Sequence, residues 1–223
     1  MTPSRDVLVT GATGYMGIRV IPTLVARGHR VRALTREASR GRVPAGAEAI
    51  VGNALDAASI ATALRPEDTL LHLVGTPHPS PAKAKEFVHV DLQSVRAAVE
   101  AARATGVSHI VYVSVAQPAP VMRAFLEVRA EGERLIRESG VAATILRPWY
   151  VLGPGHRWPS ALLPLYAAMR LVPGFRDGAE RLGLVTIRQM LAAMVNAVES
   201  SPRAGEIRVL AVPDIRASEK ALR

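Results

Sequence analysis

Val7-Leu-Val-Thr-Gly-Ala-Thr-Gly-Tyr-Met-Gly17 decides the fold of this chain. An apolar run closes on Thr10, glycines follow at 11, 14 and 17, and an amphipathic run from Ile18 to Arg27 begins without a break. These features describe a buried strand, a tight turn and a helix N-terminus. Gly11 supplies a turn that a side chain would obstruct. Gly14 leaves room for a ligand to approach the backbone, and Gly17 lets the helix lie close against the strand. The amides of Tyr15, Met16 and Gly17 then face the turn, together with the positive end of the helix dipole. Such an arrangement holds a pyrophosphate, and its place between a strand and a helix points to a dinucleotide.

Outward from this stretch, strand and helix alternate. His29–Thr35 reads as a second buried strand and Ala47–Asn53 as a third. Asp56 is placed to cap a short helix that follows. Thr69–Gly75 is a fully apolar fourth strand of the kind a parallel sheet buries on both faces. His72 lies inside it and reads as a core histidine. The Thr76–Pro81 loop has three prolines and forms a stiff rim. Lys83–Thr105 carries an apolar stripe at Val88, Leu92, Val95, Ala98 and Val99, which predicts a long helix stopped by Gly106. His109–Ser114 is a fifth strand, Met122–Ser139 a helix, and Ala143–Pro148 a sixth strand. The last third is less regular. Gly153–Pro159 reads as a rigid loop, Ser160–Leu171 and Ile187–Glu199 as helices, and Ile207–Val212 as a closing edge strand.

This order specifies an α/β fold: a doubly wound parallel sheet of the Rossmann kind, with helices on both faces and a small C-terminal cap. One NAD(P)-binding domain over residues 1–223 is expected, with residues 149–206 contributing the cap on the substrate side. Ligands of such sheets lie at the carboxyl ends of the strands, where Gly11, Arg36, Asn53, Gly75, Ser114 and Pro148 all fall.

Arg36 ends the second strand, about 20 residues past the glycines. An acid there would take a ribose 2′-hydroxyl, whereas an arginine suits a 2′-phosphate. NADP(H) is therefore the expected cofactor, with NAD(H) the alternative that neighbouring Glu37 keeps open. Arg27, Arg30, Arg32, Arg36, Arg40 and Arg42 form the one local density of positive charge. Asn53 either meets the adenine edge or caps its own loop.

Composition sets the outer limits. The 223 residues are 49% apolar and carry a net charge of +9. A chain this long buries roughly 70% of its unfolded surface. It has no cysteine, so disulfides, thiolate metal sites and a cysteine nucleophile are excluded, and no metal is expected. The positive charge is spread as scattered arginines with only 4% aromatic residues, so no nucleic-acid partner is expected. The first strand begins too early for a signal peptide. The longest apolar run, Ala161–Met169, is too short to span a bilayer and contains Pro164. A cytoplasmic protein is expected, monomeric or homodimeric, acting on a small molecule.

Thr10–Gly17, Gly52-Asn-Ala-Leu-Asp56, Val111-Tyr-Val-Ser114, Arg129-Ala-Glu-Gly-Glu-Arg134 and Leu146-Arg-Pro-Trp-Tyr-Val-Leu-Gly153 together resemble the short-chain dehydrogenase/reductase superfamily, in its atypical epimerase-like or NmrA-like NAD(P)H-binding branch. The resemblance runs over nearly the whole chain. It implies that Gly11, Thr13, Gly14, Tyr15, Met16 and Gly17 cradle the pyrophosphate, and that Asn53 and Ala54 flank the adenine. It further implies that Leu73, Val74 and Gly75 line the ribose, that Pro148 faces the nicotinamide, and that Ser114 hydrogen-bonds the reacting oxygen. The family's active centre is Tyr-x-x-x-Lys, and the matching stretch here is Phe125-Leu-Glu-Val-Arg129. Arg129 retains a charge that can hold ribose hydroxyls. Phe125 has no proton to give.

Three readings remain. The chain is a reductase with another proton source, Tyr150 first, then Tyr112 and His156. Or it reduces a planar acceptor, such as a quinone, flavin or cationic dye, that needs no enzyme acid, and Trp149, Trp158, Tyr166 and Phe175 of the cap suit a flat molecule. Or it binds NADP(H) without catalysis and serves as a redox sensor.

Overall fold

The computed structural model describes residues 3–119, 122–155, 178 and 181–219. A seven-stranded sheet forms its centre, its strands lying in the spatial order Glu48–Val51, Arg30–Thr35, Asp6–Thr10, Thr69–His72, His109–Val113, Ala143–Leu146 and Ile207–Leu210, with every neighbouring pair parallel. The strands are β1 (Asp6–Thr10), β2 (Arg30–Thr35), β3 (Glu48–Val51), β4 (Thr69–His72), β5 (His109–Val113), β6 (Ala143–Leu146) and β9 (Ile207–Leu210). The helices are α1 (Gly17–Ala26), α2 (Ala57–Ala63), α3 (Ala84–Glu86), α4 (Gln93–Thr105), α5 (Arg123–Glu138), α6 (Ile187–Glu199) and α7 (Val212–Ala217).

Side-chain alternation along the strands builds two apolar layers. Val7 and Val9 of β1, Val111 of β5 and Leu146 of β6 face α1, α6 and α7. Leu8, Ile110, Tyr112 and Ile145 face α2, α4 and α5. The expected Rossmann architecture is present, down to the Ile207 strand closing the edge beside β6.

Local signals hold where they were strong. Asp56 accepts from the amides of Ala58 and Ser59 at the start of α2. Gly106 ends α4 in the left-handed conformation, at φ +68°. The α6 helix opens with a reciprocal cap between Thr186 and Gln189.

Differences arise where tertiary contacts decide. The predicted helix from Lys83 is instead a run of different windings: a 3₁₀ turn at Pro81–Lys83, α3, a π-helical stretch at Phe87–Leu92, then α4. The widened stretch turns Phe87 and Leu92 into a small cluster with Val128 of α5 and buries Asp91. The sixth strand stops at Leu146, before Pro148, which has no amide for the ladder. The last strand stops at Leu210 because Val212-Pro213 opens α7, with Asp214 accepting from the Ala211 amide. Two short strands, β7 (Tyr150–Leu152) and β8 (Leu184–Thr186), pair parallel to each other outside the main sheet. Within the segment expected to form the cap, α6 packs with α1 in the layer that covers the sheet. The expected helix Ser160–Leu171 and His156, Trp158, Tyr166 and Phe175 lie outside the described residues.

Candidate functional site

The glycine turn has the geometry its sequence implies. Gly11 sits at φ +74°, and a Cβ there would lie 2.6 Å from the Leu73 carbonyl carbon. The turn closes through the Gly14 amide on the Gly11 carbonyl at 3.0 Å. At Gly17 a Cβ would lie 2.4 Å from the Ala12 oxygen, so α1 starts as close to the turn as a backbone allows. Gly14 differs: its Cβ would meet only the Gly11 oxygen, at 3.2 Å, so no side chain fills the space before it. Among the described residues no acceptor takes the amides of Met16 and Gly17, and the first turn of α1 carries no acid. A cradle of this shape and polarity fits a pyrophosphate. Tyr15 leans across the turn, its carbonyl accepting from Arg19 Nη1 at 2.8 Å and its hydroxyl reaching Gly153.

The carboxyl ends of β4 and β5 meet this turn. The Leu73 amide donates to the Thr10 carbonyl at 3.0 Å, which seats Leu73-Val74-Gly75 beside Gly11. Next comes a buried ion pair that sequence reading missed. Asp91, from the π-helical stretch, accepts from Arg129 Nη2 at 2.5 Å and from the amide and hydroxyl of Thr76 at 2.9 and 2.6 Å. Arg129 Nη1 donates to the Val113 carbonyl at 2.9 Å and the Tyr112 hydroxyl at 3.4 Å, while its Nε is buried without a partner. Gly75 is pressed against this group, since a Cβ there would lie 2.6 Å from Nη2. Phe125 covers the guanidinium at 5.0 Å and lies tilted at 59° against Phe87, with ring centroids 5.1 Å apart.

Glu133, one helical turn beyond Arg129, makes a second cluster. Its Oε1 accepts from Ser114 Oγ at 2.6 Å, Gln117 Nε2 at 3.0 Å and Arg147 Nε at 2.9 Å, and its Oε2 accepts from Arg147 Nη2. Burial pushes this carboxyl up, but Arg147 and the hydrogen bonds from Ser114 and Gln117 prevail and hold it below the usual range. The Ser114 hydroxyl proton is thus given to Glu133, and the serine oxygen faces any further partner as an acceptor. Asp91 and Glu133 each left a faint trace in the sequence. Asp91 falls on the 87–91–95 stripe of an otherwise apolar helix face, and Glu133 lies within the Arg129–Arg134 motif.

The remaining candidates are distributed as follows. Pro148 is buried at the end of β6, its carbonyl accepting from the Ala116 amide at 2.8 Å. Tyr150 lies on β7 with its ring 5.2 Å from Trp149, and Trp149 packs on the core. Tyr112 is walled in beneath Arg129, and burial pushes its phenol up. His72 accepts from Thr10 Oγ1 at 2.9 Å and, because the Ser94 hydroxyl donates to the Asp91 carbonyl, donates from Nε2 to Ser94 Oγ at 3.2 Å. Burial, reinforced by Arg129, lowers its pKa to about 3, so it is a neutral core histidine.

Around β2, four arginines of the local density are engaged: Arg27 with Glu199, Arg30 with Asp6, Arg32 with buried Asp68, and Arg42 with the Ser39 hydroxyl. Arg36 is exposed just past β2 and makes no side-chain bond with the described residues. Asn53 caps its own loop, its Oδ1 accepting from the Leu55 amide at 3.0 Å, and Ala54 follows it half-buried. Thr13 lies in the glycine turn. No group of metal-ligating side chains occurs among the described residues, and no described helix is long and apolar enough to cross a membrane.

The sheet order, the glycine turn and the clustering at the strand ends define a Rossmann fold of the kind that binds dinucleotides. A family model described as NAD(P)H-binding matches residues 11–155, and the chain belongs to that family of oxidoreductases. It is 31% identical to a 3-diazoavenalumate denitrifying reductase from a Streptomyces species, over 87% of this chain and 72% of the relative. It is 27% identical to a ceramide reductase from Caulobacter vibrioides, over 87% of this chain, and spans 61% of that protein. The crystal structure of a short-chain dehydrogenase/reductase superfamily protein from Agrobacterium tumefaciens with bound NAD has the same fold. Its TM-score is 0.66 at 21% identity, over 96% of this chain and 82% of the other.

Proposed function

We propose that this chain is a reductase that prefers NADP(H) and delivers hydride to a small planar or carbonyl-type acceptor without the usual tyrosine–lysine pair. Phe125 carries the reading: the position where the family keeps its phenol holds a hydrocarbon ring packed on Phe87 and Arg129. Gly11, Thr13, Gly14, Tyr15, Met16 and Gly17 would hold the pyrophosphate, with Arg36 at the 2′-phosphate and Asn53 and Ala54 at the adenine. Leu73, Val74 and Gly75 would line the ribose, with the orphaned Arg129 Nε the donor nearest to them. When bound there, the cofactor supplies hydride. The protein's part is to hold it, to keep water off the cleft floor and to place the acceptor between Ser114, Pro148 and Tyr150. The single domain with a substrate-side cap within 149–206 belongs to the same proposal, and so does a monomer or homodimer. The name of the Streptomyces relative supports it, because a diazo compound is an electrophile that can take hydride directly.

The test is NADPH oxidation by the full chain with quinones, flavins, dyes and small ketones, beside direct titration of NADPH and NADH. Turnover on planar acceptors with NADPH bound more tightly than NADH is expected. Tight binding with no turnover on any of them would shift the assignment to a non-catalytic redox sensor. Tyr150→Phe completes the test: a tenfold or greater loss of turnover would make its phenol the proton donor and overturn the acid-free reading.

A further inference from the structure

Glu133 gathers two side-chain donors on one oxygen from the end of β5. Ser114 Oγ lies 2.6 Å from its Oε1, and Gln117 Nε2 lies 3.0 Å from the same atom. The carboxyl group is 3% exposed. Burial opposes its charge, and Arg147 with the two hydrogen bonds holds it ionised. An ionised carboxylate only accepts, so both hydrogens come from its neighbours. Ser114 therefore turns its lone pairs away from Glu133, and Gln117 turns away its carbonyl end.

This polarity is locked from beneath. Turning the Ser114 proton toward a ligand would strip Oε1 of its shortest hydrogen bond in a buried setting. Turning the Gln117 amide over would set two acceptors 3.0 Å apart. The two side chains thus offer a ligand a pair of acceptors, just past the end of β5. Gln117 is half-buried. Its Oε1 accepts from none of the described residues and is not sealed inside the protein. A ketone or quinone oxygen placed there would set lone pairs against lone pairs.

We infer that the molecule reduced at this site presents a hydrogen-bond donor, an N–H or O–H group, to Ser114 and Gln117, an inference that rests on the reductase reading above. The substrate class is a planar acceptor with an amino, amide or hydroxyl group beside the centre that takes hydride. A substrate carbonyl then lies away from Ser114 rather than against it, as the family resemblance implies. Glu133 is the positioning residue for this choice. Buried behind Ser114 and Gln117, it acts by fixing which way both side chains point.

The experiment measures binding of 2-amino-1,4-naphthoquinone and 2-methyl-1,4-naphthoquinone to the full chain with NADP⁺ present, by equilibrium dialysis. The two are flat, neutral and closely matched in size, and differ in a donor group against a methyl group. The amine should bind at least tenfold more tightly, since a site built for a donor rejects the analogue lacking it. Equal affinities, a preference for the methyl compound, or no binding of either overturns the inference. NADPH oxidation is followed separately. A tenfold affinity ratio without turnover on any acceptor leaves the polarity of the site standing and removes the reductase reading. Turnover with equal affinities does the opposite.

Variants assign the effect to these side chains. Ser114→Ala and Gln117→Leu should each shrink the amine-to-methyl affinity ratio at least threefold, because each removes one acceptor. A ratio unchanged in both overturns the inference. Glu133→Gln tests the positioning role: its amide would give a hydrogen to Ser114 and release the hydroxyl proton toward the ligand. The ratio should then fall toward one or invert, and a ratio that stays at the wild-type value overturns the role of Glu133. Should that variant not fold, the ratios of Ser114→Ala and Gln117→Leu decide.

Discussion

At Gly11 a side chain has nowhere to go, and at Gly14 it would enter the open space before the turn. Gly11 combines a positive φ with a Leu73 backbone 2.6 Å from any Cβ. Gly11→Ala should therefore cost about 2–4 kcal/mol of stability from strain and overpacking together, measured by chemical denaturation. Gly14→Ala should leave stability within about 1 kcal/mol and weaken cofactor binding at least tenfold, since its Cβ meets one protein atom at 3.2 Å. Equal effects of the two substitutions on folding would contradict the distinct roles of these glycines. Arg36 belongs to the same scale. With no side-chain partner among the described residues and just past the end of β2, it should set the cofactor preference, and Arg36→Asp should lower the NADPH-over-NADH affinity ratio at least tenfold by calorimetric titration. An unchanged ratio would remove Arg36 from the phosphate site.

The α5 helix and the π-helical stretch before α4 act as a unit. Arg129 and Glu133 stand four residues apart on α5, so both point at the ends of β4, β5 and β6. Each is tied to a group that local pattern does not announce: Asp91 across the cleft, and Arg147 beside Pro148. Removing one partner of a buried pair leaves the other uncompensated, which is costly where the pair itself is worth little. Glu133→Ala should cost about 3 kcal/mol, because Ser114, Gln117 and Arg147 all lose their acceptor. A loss under about 1 kcal/mol in urea unfolding would mean that Arg147 simply turns to water.

For the molecule as a whole, the buried histidines set a pH dependence. His72 and His109 are lowered to about 3, each chiefly by burial, with Arg129 adding for His72 and Arg208 and Arg5 for His109. In the unfolded chain a histidine titrates near ~6.5. Between about pH 3 and pH 6.5 the unfolded chain binds more protons than the native one, so acidification through that window removes stability. The limiting slope is about 1.4 kcal/mol per pH unit for each histidine. Unfolding free energies should fall by at least ~2 kcal/mol between pH 7 and pH 5. A flat profile over that range would show that these rings are charged, or exposed, in the native protein.

The alternation of apolar runs and turn residues by itself determined the parallel sheet, its helices and the place of the nucleotide turn. Those features rest on local physics: period-two burial in strands, glycines where only glycine fits, and caps such as Asp56 and Gly106. The sequence also exposed the loss of the phenol at Phe125. Only the tertiary structure decided what the charged residues do. Asp91 and Arg129 are 38 residues apart, and Arg32 and Asp68 are 36 apart. Neither pairing leaves a periodic signal, because a buried charge chooses its partner by proximity in the folded sheet rather than by spacing along the chain. For the same reason Ser114, legible as a strand-end hydroxyl, became a donor to Glu133 only once α5 had packed against β5. Likewise α6, equally compatible with a cap, was placed beneath the sheet by the apolar face it shares with α1.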